Sequence, residues 1–187
     1  LDIQLKNFEK LLRTNQGPSY NFLYFLIPHM PFIYDSNCNL VSDTAQVVGR
    51  KNTLIADDNK SYDEQIICTN KTVIKIINLL KKLNYYNDSI IVITSDHSAT
   101  VGISGMESIS GHTHITENER DIINKHQKEF NDLLDKRAGI PLWIKFPNSS
   151  KKLHYDNRLV LSLDIAPTLL NSADFSTNNF SGKSLIN

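Results

Sequence analysis

The sequence predicts an α/β fold: a mostly parallel sheet with helices on both faces. Three observations lead there. Short, continuous apolar runs alternate with longer amphipathic stretches at helical spacing. Their order is strand, helix, strand, helix, strand, helix, which is how parallel sheets are wound. Two of the runs stop abruptly at histidine-bearing polar segments, "IPHMPF" and "TSDHS". Right-handed crossovers gather strand ends of one polarity on a single rim, and ligands bind beyond that rim.

The elements follow in order. Ile3, Leu5, Phe8, Leu11 and Leu12 predict a helix over 3–13, broken by Gly17-Pro18. "YNFLYFLIP" predicts a buried strand at 20–27, short, aromatic and ended by Pro28. Residues 29–60 read as a long polar excursion with one short strand near Gln46-Val47-Val48. Tyr62, Ile66, Thr69, Val73, Ile76, Ile77, Leu80 and Leu83 form one apolar stripe. That helix opens at Ser61 or Tyr62, with Asp63 and Glu64 suited to its first turn.

Asn87-Asp88 turns the chain into a strand at 89–94. A polar loop, Ser98 to Ile115, leads to a capping box in which Thr116 is the N-cap and Glu119 stands at N3. The helix it opens runs to about Lys136. "IPLWIKFP" predicts a third strand. In "LVLSLDIAPTLLN", Asp164 is the expected N-cap, and Pro167 is tolerated in the first turn. Neither repeats nor linkers interrupt the chain, so residues 1–187 read as one domain.

Composition removes several function classes. Twenty basic and twenty acidic residues cancel, which argues against a nucleic-acid-binding surface. No apolar run approaches the roughly 20 residues of a membrane span, and the first residues do not read as a signal peptide. The chain opens on Leu1, so a targeting or anchoring segment is expected upstream. Cys38 and Cys68 are either free buried thiols or a disulfide. A disulfide implies an oxidising compartment such as a periplasm. Lys151-Lys152 reads as solvated, and the sequon Asn70-Lys71-Thr72 is not read as a glycosylation site.

The chemistry concentrates at the strand ends. Asp96 and His97 suit a borderline divalent metal such as Zn²⁺ or Mn²⁺, with Ca²⁺ or Mg²⁺ compatible. Adjacent residues on a regular strand face opposite ways, so a shared ion requires the backbone to turn at Ser95-Asp96. The bland reading makes Asp96 a turn cap and His97 a surface residue. His29 stands on the other histidine-bearing end. "SGHTHIT" adds His112 and His114, an H-x-H pair that binds metal or is simply polar loop. His126 and His154 read as solvated. No phosphate loop, C-x-x-C or G-x-S-x-G competes.

These residues carry a resemblance. "YDEQIICTNKTVIKIINLLKKLNYYNDSIIVITSDHS" resembles the helix, strand and Asp-His pair of the sulfatase branch of the alkaline phosphatase superfamily. "PHMPFIYD", "GIPLWIKFP", "LDIAPTLLN" and "FSGKSLIN" resemble further segments of that family, in family order. The resemblance implies an alkaline phosphatase-like domain of which this chain is the C-terminal part. It implies metal-dependent transfer or hydrolysis of a phosphate or sulfate ester. Its lipoteichoic acid synthase-like and phosphoethanolamine transferase-like members suggest phosphoglycerol or phosphoethanolamine groups on cell-envelope lipid or glycan.

Asp96 and His97 match the family's metal ligands. His29 matches a histidine that contacts substrate or leaving group, and His112 or His114 a later catalytic histidine. The implied partners are a phospholipid or glycan, on the periplasmic or extracytoplasmic face of a bacterial inner membrane, with the full-length protein membrane-anchored. Two features depart from the pattern. Ser98 stands where the family has Gly. The nucleophile and remaining acidic ligands are expected upstream, so this chain alone should bind metal poorly and turn nothing over. Two alternatives make other forecasts: a degenerate, non-catalytic binding module would tolerate loss of Asp96, and an unrelated α/β domain would leave His29 far from His97.

Overall fold

The computed structural model describes residues 1–29, 32–41, 56–98, 116–125, 138–150 and 152–186. Their elements are helices α1 (Asp2–Thr14) and α2 (Ala56–Lys82), strand β1 (Ile91–Thr94), helix α3 (Glu117–Lys125), strand β2 (Leu142–Lys145) and helix α4 (Ile165–Asn171), which a short 3₁₀ turn at Ser162–Asp164 precedes. They fall into two compact units. One comprises residues 1–83 and 94–141, the other 84–93 and 142–187.

In the first unit α1 forms as its periodicity predicts and buries Phe8 and Leu12. Helix α2 starts at Ala56, earlier than the sequence places it. It ends where Asn84 adopts φ 61°, the left-handed conformation that terminates helices and that asparagine tolerates. Its buried positions include Gln65, Cys68 and Thr72, which recur at helical spacing one step around from the predicted apolar stripe. Helix α3 begins at Glu117, directly after the predicted N-cap Thr116, whose carbonyl accepts the Arg120 N–H at 3.0 Å. The rest of that predicted helix, and the strand near Val47, lie outside the described residues.

The predicted strand at 20–27 is not one. No ladder pairs the segment among the described residues, and Tyr20, Phe22, Tyr24 and Leu26 are exposed. Strand formation also needs a neighbour to take up the free N–H and C=O groups, which a local pattern does not supply.

In the second unit β1 and β2 form a two-stranded sheet. Asn148, just past the end of β2, donates its N–H to the carbonyl of Asn87, ahead of β1, at 2.7 Å. The pair is therefore antiparallel, which corrects the expected parallel arrangement for these strands. The Lys145 side chain fastens the same corner. Its ammonium donates to the carbonyls of Asn87 at 2.8 Å, Ser89 at 3.1 Å and Tyr86. It also lies 4.6 Å from the centre of the Tyr86 ring. Burial holds the Lys145 pKa below the usual lysine range.

Asp164 does not cap α4 with its side chain. Its carboxylate accepts instead from the N–H of Leu161 at 2.9 Å and from the N–H of Lys183 at 2.7 Å. These bonds, led by the one from Leu161, hold its pKa below the usual carboxylate value. Thr168 continues the tie, accepting from the N–H of Leu185 at 2.9 Å. The C-terminal segment is thereby drawn so close that a Cβ on Gly182 would lie 2.0 Å from the Leu163 carbonyl oxygen. Only glycine fits there.

Candidate active site

Strand β1 delivers its polar end abruptly. Thr94 is its last residue, and the backbone bends at Asp96 and His97. One Asp96 carboxylate oxygen accepts the N–H of His97 at 2.9 Å. The turn folds the carboxylate toward the imidazole, so the two side chains do not point to opposite faces. The other oxygen lies 3.6 Å from His97 Nε2, and the side chains are 76% and 39% exposed respectively.

The second imidazole nitrogen fixes the tautomer. His97 Nδ1 sits 3.0 Å from the Ser98 carbonyl. A carbonyl only accepts, so Nδ1 carries the proton and donates. Nε2 faces the free carboxylate oxygen. Two ligands each about 2.1 Å from one tetrahedral ion lie about 3.4 Å apart, and the observed 3.6 Å is close to that. Asp96 and His97 thus fit two positions around a single divalent metal. Among the described residues no group of three or more His, Cys, Asp and Glu forms a complete cluster. Ser95 Oγ, beside them, is buried with no hydrogen-bond partner among the described residues.

The structure brings His29 to this corner. Its ring centre lies 6.4 Å from that of His97, with the planes at 69°. His112 and His114 lie outside the described residues. His154 is exposed on a loop.

The His29 segment is held by α2, and here sequence reasoning missed a residue. Gln65 is 0% exposed. Its amide nitrogen donates to the His29 carbonyl at 2.9 Å, and its oxygen accepts from the N–H of Ile33 at 2.9 Å and of Tyr34 at 3.3 Å. Three residues along, Cys68 is bonded to Cys38 in a disulfide, which resolves the alternative left open by the sequence. Three further on, Lys71 donates to the Ser36 carbonyl at 2.7 Å. Phe32 packs on Tyr62 with ring centres 5.6 Å apart, and burial raises the Tyr62 pKa. Between these ties Asp35 organises a tight turn. Its carboxylate accepts from the N–H groups of Asn37 and Asn39, each at 2.8 Å, and the bond from Asn39 does most to hold its pKa below the ordinary value. A glutamine beside the predicted apolar stripe gives no signal of this role by itself. The one available hint was its i, i+3 spacing to Cys68.

The family model described as Sulfatase matches residues 2–175. Searches of curated proteins and of solved structures gave no match. Sulfatase-family enzymes generally use a divalent metal and act as hydrolases or transferases, within the alkaline phosphatase superfamily. With the family model covering nearly the whole chain, this chain belongs to the sulfatase family.

Proposed function

We propose that the protein carrying this chain is a metal-dependent, sulfatase-like enzyme that transfers or hydrolyses an ester of cell-envelope lipid or glycan. The favoured group is phosphate, as phosphoglycerol or phosphoethanolamine, with sulfate the other class the family accommodates. Asp96 and His97 hold the metal, Zn²⁺ or Mn²⁺ by preference. His29 contacts substrate or leaving group, and His112 or His114 supplies a further catalytic imidazole. The reading carries with it an alkaline phosphatase-like arrangement in which these residues share one rim.

One observation supports it most: an Asp96 carboxylate oxygen and Nε2 of His97 converge at 3.6 Å at the end of a strand. When bound, the metal neutralises charge on the non-bridging ester oxygens. The nucleophile is expected upstream of this chain, whose own residues orient the groups at this corner. The Ser98 carbonyl holds the His97 ring through Nδ1, with Nε2 turned toward Asp96. The His97 N–H anchors Asp96. His29 stands beside them to donate or accept a proton at the departing oxygen. An extracytoplasmic location agrees with the Cys38–Cys68 disulfide, which persists in oxidising compartments. A phospholipid or glycan partner, and no nucleic acid, agrees with the balanced charge.

The test uses the full native protein. Mn²⁺ and Zn²⁺ affinity is measured by calorimetry, and turnover on bis(p-nitrophenyl) phosphate and p-nitrophenyl sulfate. Asp96→Asn and His97→Gln should each weaken metal binding by about 100-fold or more, with turnover falling in parallel. Unchanged affinity in both variants would sink the assignment. The preferred ester separates phosphate from sulfate chemistry.

A further inference from the structure

We infer that Gln65 is a positioning residue that sets where His29 stands relative to His97. The inference rests on the proposed role of His29, but its geometric core does not. Helix α2 grips the segment from His29 to Val41 with residues at helical spacing. Two of the grips are remote from the histidine: Cys68 holds Cys38, and Lys71 holds Ser36 and Asn37. Gln65 reaches His29 itself, donating to its carbonyl at 2.9 Å. On the other side the His29 N–H donates to the Leu26 carbonyl at 3.0 Å. The peptide groups before and after His29 are therefore both held. Its ring centre lies 6.4 Å from that of His97.

The chemistry of the tie is specific. The cradle offers a carbonyl that needs a donor and two N–H groups that need an acceptor. A glutamine side chain supplies both from one planar amide. An ionised glutamate has no donor for the carbonyl. Leucine has neither function, and asparagine is one methylene short. A leucine at this fully buried position would leave all three backbone groups without their partner. The amide satisfies them together, and in doing so it fixes the backbone at His29.

The experiment compares Gln65→Glu, Gln65→Leu and Lys71→Met in the full native protein labelled with ¹⁵N,¹³C-histidine. Gln65→Glu is isosteric, so it keeps the Ile33 acceptor and loses only the donor to His29. Lys71→Met cuts a grip at the far end. Each variant is checked for native helicity and an oxidised disulfide. In both Gln65 variants the NOE between the His29 and His97 rings should vanish and the His29 ring signals should shift. Turnover of bis(p-nitrophenyl) phosphate should fall about 10- to 100-fold through kcat, with KM within about twofold. Lys71→Met should leave all three readouts at wild-type values. If Gln65→Leu does not fold, Gln65→Glu carries the test.

An unchanged ring NOE with unchanged kcat in Gln65→Glu overturns the inference. Loss of the NOE in Lys71→Met also overturns it, since any loosening of the loop would then suffice. His29→Ala separates the two claims. If that variant retains full turnover while the Gln65 variants lose the NOE, positioning stands and the catalytic reading of His29 falls. If His29→Ala is inactive and Gln65→Glu is silent, the reverse holds.

Discussion

Asp96 and Asp164 are both carboxylates at the end of an element, and they are used in opposite ways. In the second unit both oxygens of Asp164 are taken by backbone N–H groups, from Leu161 on one side and Lys183 on the other. Lys145 is treated likewise, its ammonium spent on three carbonyls. In the first unit Asp96 gives one oxygen to its neighbour's N–H and leaves the other open, 3.6 Å from an imidazole nitrogen. A charge whose bonds are all consumed by its own backbone is a fastener. A charge with an open lone pair at a strand end is available to a ligand. The difference teaches where to look for chemistry: at the ionisable groups the fold leaves incompletely satisfied.

Three perturbations break or sharpen this contrast. The largest effect is expected from the Cys38→Ser/Cys68→Ser double variant. The disulfide closes a loop with a sequence separation of 30, and chain entropy puts its contribution at about 3–4 kcal/mol. Urea unfolding measures the loss. Hydrogen exchange should show it confined to residues 33–41, with 161–185 still protected. Equal loss of protection in both places would mean that the two regions are not fastened independently.

Lys145→Met comes next. It keeps the aliphatic stem and removes the ammonium from a partly open site, for about 1 kcal/mol. Thermal melting should fall while Mn²⁺ affinity stays at the wild-type value. A matching fall in metal affinity would contradict the assignment of Lys145 as a fastener.

The smallest effect at neutral pH is expected from Asp164→Asn, which retains one acceptor oxygen. The depressed pKa of Asp164 means that its ionised form is favoured in the folded state. Its stabilisation is therefore complete above the unfolded value of about 3.9 and is lost as pH falls from there through the lower folded value. Melting temperature against pH should drop less steeply below about pH 4 in Asp164→Asn than in the wild type. Parallel curves would show that the carboxylate is not the group the backbone needs.

Some of this was legible in the residues. Helix α1 and strands β1 and β2 follow from periodicity and run length, because burial of one face imposes a period on the sequence. Asp96 and His97 stand out because two ligand-type side chains follow directly on an apolar run. The run from Tyr20 to Ile27 was read as a strand, yet no ladder pairs it among the described residues, since a ladder belongs to two segments and a pattern to one. Asp164 was assigned to the helix it precedes. It serves instead a residue 19 positions further on, Lys183, which no local rule reaches.

The sequence by itself determined which segments are helical or extended, that the charges balance, and that histidine and aspartate lie at strand ends. Those properties are carried by neighbours a few residues apart. Only the tertiary structure decided that Cys38 meets Cys68, that β1 and β2 run antiparallel, that His29 comes within 6.4 Å of His97, and that Gln65 holds the backbone between. Each of those is a contact between residues 30 or more positions apart. Such a contact depends on how the chain closes its loops, and the cost of closure changes only slowly with loop length. The spacing of the residues along the chain therefore does not select it.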